Sequence, residues 1–435
     1  MTALVDAAYL LGMTVAAPFW GYRMFSRGKH RTDWMARIGR GATLPPPRRG
    51  GRILVHAVSV GEVNAARGMI EAMAAHGDVV LSVTTDTGSA RAMQMFGQRL
   101  PVVRYPFDAS FAVQRFLQRV QPTAVALMEL EVWPNFMQAC TQRGIPVGVV
   151  NGRLSDRSFR RYRPARSVLA SMFRQLSFVT AQTQAYADHF VAMCVPADRV
   201  VVTGTMKWDT AEITDTVEGA EVLAESLGID RSKPLVVAGS TAPGEEALLH
   251  ASVPDGVQLL CAPRKPEWFQ AAADALPKCV RRSHCTHASS SGRAPSTCHD
   301  RFLLDTIGEL RKAYALATVV VIGRSFCNLH GSDMMEPISL GKPTLIGPRY
   351  GDFADMAEKL IQAGGLRVTS PTDLHRDLAQ LLGDSESRRE MVAAGRAVID
   401  REKGATHKNV SLLQSVLLQT QLAPPNHASP QRAVS

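Results

Sequence analysis

Glu62 is the first residue of this chain whose type and setting could handle a proton. It closes the run His56-Ala57-Val58-Ser59-Val60-Gly61-Glu62, which leaves a β-branched stretch and leads into a helical one. In a parallel α/β sheet that place is the carboxyl edge, where substrates bind. Ser59-x-x-Glu62 is equally a capping box, in which the two side chains satisfy the amides of a first helical turn. A second group, Cys279, His284, Cys285, His287, Cys298 and His299, has zinc-ligand chemistry. It contains no Cys-x-x-Cys pair and sits in a Ser-, Gly- and Arg-rich stretch, so a solvated loop is the expectation and no metal site is assigned. His375-Arg376-Asp377-Leu378 imitates a kinase catalytic loop but lacks the Asn five residues on. Walker, G-x-G-x-x-G and Asp-x-Asp motifs do not occur where a nucleotide or metal would need them.

The elements that must position Glu62 read as an alternation. Short β-branched runs at 53–58, 79–83, 124–128, 145–150, 178–181 and 200–203 are separated by helical stretches. Such repetition predicts a parallel sheet with crossover helices. After an acidic, loosely structured stretch at 209–230, the pattern restarts at 235–238, 257–261, 319–322 and 343–346. Two sheets in succession predict an α/β chain of two Rossmann-like domains facing one another across a cleft. The expected boundaries are a leader at 1–43, a first domain at 52–208, a linker at 209–230, a second domain at 231–420 and a disordered tail at 421–435. Pro45-Pro46-Pro47-Arg48-Arg49-Gly50-Gly51 marks the break between leader and body.

A length of 435 residues suits two large domains, and 46% hydrophobic with 20% charged residues is ordinary globular usage. The 49 Lys and Arg exceed the 39 Asp and Glu, giving a net charge of +10, which favours anionic partners. With 6% aromatics and no nucleic-acid-binding signature, phosphates, acidic sugars and anionic lipid are better candidates than nucleic acid. Seven scattered Cys fit reduced thiols in the cytosol. Residues 3–21 are apolar except for Asp6, and Arg23, Arg27, Lys29, Arg31, Arg37 and Arg40 follow. This predicts a membrane-associated helix that spans or lies on a bilayer, its basic flank on the cytoplasmic side.

Further blocks carry a resemblance. His56 to Glu62, Met128-Glu129-Leu130-Glu131-Val132-Trp133-Pro134-Asn135, Asn151-Gly152-Arg153-Leu154-Ser155 and Gly204-Thr205-Met206-Lys207-Trp208-Asp209 resemble successive blocks of the bacterial transferases of 3-deoxy-D-manno-octulosonic acid (Kdo). So do Gly239-Ser240-Thr241 with Gly244-Glu245-Glu246, Pro263-Arg264-Lys265-Pro266-Glu267, Thr306-Ile307-Gly308-Glu309-Leu310, and Glu336-Pro337 with Gly347-Pro348. The resemblance covers roughly residues 4–400 and implies the GT-B glycosyltransferase architecture.

It also implies an inverting reaction that moves Kdo from the donor substrate CMP-Kdo to a lipid A precursor, lipid IVA, at the cytoplasmic face of the inner membrane, without cofactor or metal. Glu62 would be the general base, a carboxylate kept ionised by the helix dipole. Glu129 and Lys207 would stabilise the transition state, in which charge of both signs develops; a mutual salt bridge is the competing reading. Pro263 and Arg264 would lie against CMP, with Arg264 on the phosphate. Ile307, Gly308 and Glu309 would open a helix whose amides receive the same anion, and Asp333, Met334, Met335 and Glu336 would complete the nucleotide site, Glu336 on the ribose hydroxyls.

The sequence departs from the family pattern in two places: Arg324 stands in Gly323-Arg324-Ser325 where Gly-Gly-Ser is frequent, and His330-Gly331-Ser332-Asp333-Met334-Met335 replaces Gly-Gly-His-Asn-Pro-Leu. Arg324 thereby adds an anion contact. The alternatives are a GT-B enzyme using a UDP-sugar, as transferase or epimerase, and a non-catalytic protein of the membrane surface that binds through Arg23 to Arg40.

Overall fold

The computed structural model of the chain describes residues 6, 7, 9, 33–48, 50–285 and 299–422. These form two compact units, one of residues 1–210 and 403–435 and the other of residues 211–402. Most of the apolar leader and its basic flank, His287 and Cys298, and the expected tail from 423 on lie outside the described residues. Among the described residues no helix is long and apolar enough to cross a membrane.

The first unit opens with a short helix, α1 (Trp34–Arg37), and alternates from there: β1 (Arg52–Ala57), α2 (Val60–Ala65), α3 (Arg67–His76), β2 (Asp78–Val83), α4 (Asp86–Phe96), β3 (Val102–Arg104), α5 (Ser110–Val120), β4 (Ala124–Met128), α6 (Pro134–Gln142), β5 (Val147–Gly152), α7 (Asp156–Tyr162), α8 (Arg166–Arg174), β6 (Phe178–Ala181), α9 (Gln184–Ala192) and β7 (Val200–Val202). The strands pair in parallel in the order β3-β2-β1-β4-β5-β6-β7. Crossover helices cover both faces, so β1, β4 and β5 are buried from end to end, as their β-branched composition requires. Met69, Ile70, Phe96 and Leu413 pack on one face. Phe116, Phe136, Phe173 and Phe190 fill the other.

Several helices leave the sheet's carboxyl edge abruptly because the residue after the strand loop is a cap. The hydroxyls of Ser59, Thr85, Ser155 and Thr183 accept from the amides of Glu62, Gly88, Ser158 and Tyr186. Each such cap contributes about 1 kcal/mol and keeps its loop short. Asp108 does the same for α6, accepting from the amides of Asn135 and Phe136 at 3.0 and 2.9 Å. Asp6, which interrupts the apolar leader, is tied to this body: it accepts from the Ser110 amide at 3.0 Å and from Asn135 Nδ2 at 2.8 Å.

The second unit holds α10 (Ala220–Leu227), β8 (Leu235–Thr241), α11 (Glu245–Ser252), β9 (Gln258–Pro263), α12 (Phe269–Ala275), β10 (Val280–Arg281), α13 (Arg282–Cys285), β11 (Arg301–Leu303), α14 (Leu310–Leu316), β12 (Val319–Ile322), α15 (Met335–Ser339), β13 (Thr344–Ile346), α16 (Ala354–Gln362), β14 (Arg367–Val368), α17 (Leu374–Gly383) and α18 (Ser385–Glu402). Its parallel order is β10-β11-β9-β8-β12-β13-β14. Helix α10 lies within the stretch expected to be loosely structured.

The chain then returns to the first unit as α19 (Ala405–Leu422), whose Val410 and Leu413 join the core beside Met69 and Met73. Asp209 holds the start of this helix, accepting from the amides of Gly404 and Thr406 at 2.6 Å each. The unit boundaries thus fall at 210 and 403, whereas sequence placed the chain up to 420 in the second domain.

Candidate active site

In each sheet the strand order reverses beside the first strand of the unit, between β1 and β4 and between β8 and β12, which is where doubly wound sheets bind ligands. In each unit the residues following these strands line that edge.

After β1, Ser59 Oγ accepts from the Glu62 amide at 3.4 Å, and Glu62 reaches back to accept from the Val58 amide at 2.8 Å and from Ser59 Oγ at 3.1 Å. The capping box is therefore formed. Burial pushes the Glu62 carboxyl up to about 7; the amide of Val58 opposes this, and like charge on Glu129 and Glu131 adds to it. This corrects the expectation that the helix dipole keeps Glu62 ionised. Helix α2 has only six residues, and desolvation beside two other carboxylates outweighs its field. Within the same strand His56 is buried, stacked on Tyr105 at 3.8 Å, and burial drives its ring down to about 3. It is a neutral wall and not a second base.

After β4 the chain turns at Glu129, a non-glycine residue at φ 56°. Its amide donates to Val150 O at 3.0 Å and its carbonyl accepts from the Arg153 amide at 3.4 Å. A left-handed backbone at a carboxylate costs free energy and is kept only where its surroundings fix it. Glu131 accepts from Trp133 Nε1 at 3.0 Å, and burial, with Glu129 adding, raises its carboxyl.

Lys207 lies half-buried in the loop after β7. Asn151 sets this loop: fully buried and at φ 52°, it accepts from the Met206 amide at 3.0 Å through Oδ1. Thr180 Oγ1 in turn receives the Asn151 amide at 3.1 Å and donates to Asn409 Oδ1 at 2.6 Å. Sequence quoted Asn151 within a block but gave it no role, and Asn409 carried no signal, being brought in from α19 by the fold.

In the second unit the corresponding organiser is Glu245, buried at 3% exposure. It accepts from the amides of Ala242, Arg324 and Phe326 at 2.9, 2.6 and 3.0 Å, joining the loop after β8 to the loop after β12. Burial raises its carboxyl against the pull of these amides. Gly323 cannot carry a side chain, since a Cβ there would come within 2.5 Å of Thr241 Cα. Arg324 follows at φ 60°, its Nη2 donating to Leu329 O at 2.8 Å.

Pro263 is buried at the end of β9, and the Arg264 amide donates to Thr241 O at 3.0 Å. Arg264, Lys265 and Arg324, with Trp268 and Leu329, line a cavity of about 410 Å³. Lys265 Nζ sits 4.8 Å above the Trp268 ring. A pocket walled by three cations suits an anion.

The other expected nucleotide residues fall into two groups. Glu336, in the first turn of α15, faces Arg311 Nη1 at 3.8 Å; burial raises its carboxyl, Arg311 opposing. Met334 and Met335 are core side chains, and the Met335 amide already donates to Asp333 Oδ1 at 2.8 Å. They offer a ligand no side chain. Ile307 is exposed, and Gly308 has open space about it. The helix begins only at Leu310, and Glu309 receives both nitrogens of a bidentate Arg282 at 3.1 Å and the Thr306 hydroxyl at 2.6 Å. Its carboxyl, though partly buried, is held below the usual range by those donors. Among the described residues no group of three His, Cys, Asp or Glu is placed to hold a metal ion.

Residues 32–210 match the family described as 3-Deoxy-D-manno-octulosonic-acid transferase (kdotransferase). A 3-deoxy-D-manno-octulosonic acid transferase of Haemophilus influenzae is 31% identical over 392 residues, covering 86% of this chain and 89% of that one. One of Bordetella pertussis is 31% identical over 431 residues, covering 94% and 99%. The chain belongs to the Kdo transferase family. It is accordingly a glycosyltransferase, in agreement with the sequence resemblance. Among solved structures, Anabaena HepE in complex with UDP-glucose superposes with a TM-score of 0.56 at 13% identity, covering 84% of this chain and 99% of that one. That likeness shows the fold of this Kdo transferase and does not favour a UDP-sugar as its substrate.

Proposed function

We propose that this Kdo transferase takes Kdo from CMP-Kdo and places it, with inversion, on a sugar hydroxyl of a lipid A precursor such as lipid IVA, in lipopolysaccharide core biosynthesis at the cytoplasmic face of the inner membrane. The observation that carries the reading is Glu62: a carboxylate at the carboxyl edge of the first sheet, fixed by Val58 and Ser59, and poised by burial at about 7. A general base works best with a pKa near the operating pH. The acceptor oxygen attacks the anomeric carbon on the face opposite the phosphate. Its proton passes to Glu62, the bond from anomeric carbon to phosphate oxygen breaks, and CMP leaves with the electron pair.

The first unit supplies this base, with Glu129 toward the cationic sugar ring and Lys207 toward the departing phosphate. The second unit supplies Arg264 as the charge-assisted contact to the CMP phosphate and Glu336 as acceptor for the ribose hydroxyls. The donor carries a single phosphate, so arginine and backbone amides can neutralise the leaving group without a metal ion. The deciding experiment is Kdo transfer to lipid IVA, with CMP-Kdo generated in situ and EDTA present, by wild type and Glu62→Ala. Transfer by wild type alone, with the variant folded, upholds donor, acceptor, metal independence and base together; wild type inactive on Kdo but binding another nucleotide sugar overturns the substrate.

A further inference from the structure

The cavity of about 410 Å³ in the second unit gathers three cations, whereas the donor carries a single phosphate. One of the three, Lys265, is already engaged: its Nζ pairs with Glu267 at 3.3 Å and lies over the Trp268 ring. Among the described residues no ion pair engages Arg264 or Arg324. The stretch around Arg324, from 310 to 332, contains no Asp or Glu. Glu245, which joins the loops here, is taken up by the amides of Ala242, Arg324 and Phe326 and by the Cys327 thiol. Two guanidinium groups thus line one cavity with no carboxylate of their own to neutralise them, an arrangement that invites a second anion.

Arg324 is held for such a role. Its amide donates to Glu245 Oε2 at 2.6 Å, its carbonyl accepts from the Gly331 amide at 2.8 Å, and its Nη2 donates to Leu329 O at 2.8 Å. The next residue, Ser325, is fully buried, its Oγ donating to Ile322 O at 2.5 Å and accepting from the Gly347 amide at 2.7 Å. These contacts fix the left-handed backbone of Arg324 at φ 60°. Most of the N–H groups of its guanidinium remain for a ligand, and a side chain already fixed loses little freedom on binding.

We propose that Arg324 binds the carboxylate of the transferred sugar while Arg264 binds the phosphate, so that this pocket selects an acidic sugar. In a CMP ester of an octulosonic acid the carboxylate and the phosphate oxygen are bonded to the same anomeric carbon. Two anions therefore enter the cavity side by side, and two guanidinium groups match them in number. The planar fork of arginine suits a carboxylate, and a neutral sugar would leave that fork unpaired. This deepens the proposed function and rests on it in taking CMP-Kdo as the donor.

The test is calorimetric titration of the full chain with three ligands: CMP, a non-hydrolysable CMP-Kdo analogue in which a methylene replaces the bridging oxygen, and the C1 amide of that analogue. Wild type should bind the acid about tenfold or more tightly than the amide, the worth of a charge-assisted hydrogen bond. In R324Q the affinity for the acid should fall about 10-fold to 100-fold, toward that of the amide, and the affinity for CMP only about threefold, through loss of one charge from the cavity. R264Q should weaken all three ligands alike. R324K keeps the charge without the fork, so it should weaken the acid alone, by about threefold to tenfold, and it carries the comparison if R324Q does not fold. Equal loss of CMP and acid in the Arg324 variants, or acid and amide bound alike by wild type, overturns the assignment of Arg324 and leaves CMP-Kdo standing as donor. Wild type that binds neither CMP nor the analogue overturns the donor reading, and this inference with it.

Discussion

The two sheets are both seven-stranded and parallel and reverse order beside their first strand, but they collect opposite charge at their carboxyl edges. After β1 and β4 the first presents Glu62, Glu129 and Glu131; after β8, β9 and β12 the second presents Arg264, Lys265 and Arg324. Each edge is built around one buried polar side chain that gathers backbone amides, Asn151 in one and Glu245 in the other. The fold therefore supplies loop positions, and the residues placed there decide the charge of the edge. Burial, with like charge on Glu129 adding, raises Glu62 and Glu131. Clustered cations favour an anion.

The strongest way to break this contrast is Glu62→Gln, which should lower kcat by about 100-fold to 10,000-fold, the usual worth of a general base. Wild-type kcat should rise with pH along a limb centred near 7, the value to which burial pushes Glu62. Because that value lies above the ordinary 4.5, ionising Glu62 costs folding free energy. The cost is absent below about 4.5, grows up to about 7 and is constant above it. Urea unfolding of Glu62→Gln should therefore show stability rising relative to wild type across that window; a gap independent of pH would mean Glu62 is not raised.

On the cationic side, Arg264→Gln should raise KM for CMP-Kdo about 10-fold to 100-fold, the worth of a charge-assisted hydrogen bond, and leave the pH limb in place. Next in size is Glu129→Gln. Removing its like charge should move the limb to lower pH, and an unmoved limb would uncouple the two carboxylates. Arg324→Gly relieves a left-handed backbone and should stabilise the protein by roughly 0.5–1 kcal/mol while weakening the donor complex. A thermal melt and a CMP titration of one preparation would show both effects.

Sequence revealed most of this arrangement where signals were local. The long buried strands β1, β4 and β5 are continuous β-branched runs, and Ser59-x-x-Glu62 announced both its cap and its carboxylate. The strands it missed, β3, β10, β11 and β14, are two or three residues long, too short for any periodicity, and each contains an arginine. The ionisation of Glu62 could not be read, because Glu129 and Glu131 are far along the chain and burial is a tertiary property. Likewise Met334 and Met335 read as part of a nucleotide loop, although their apolar side chains follow the usual rule and go inside. Asn409 lies 206 residues from Thr203, whose hydroxyl it meets at 3.4 Å, and no spacing pattern extends that far.

Asp209, through its two bonds to the start of α19, makes the second unit an insert in the first. The chain leaves at 210 and is back at 403, and one carboxylate grips both sides of that gap. A gene encoding the first unit alone would thus need only a few residues to bridge the excision, and the insert could be exchanged for that of another transferase as a cassette, its cation-lined edge travelling with it and the acid-rich edge staying with the host.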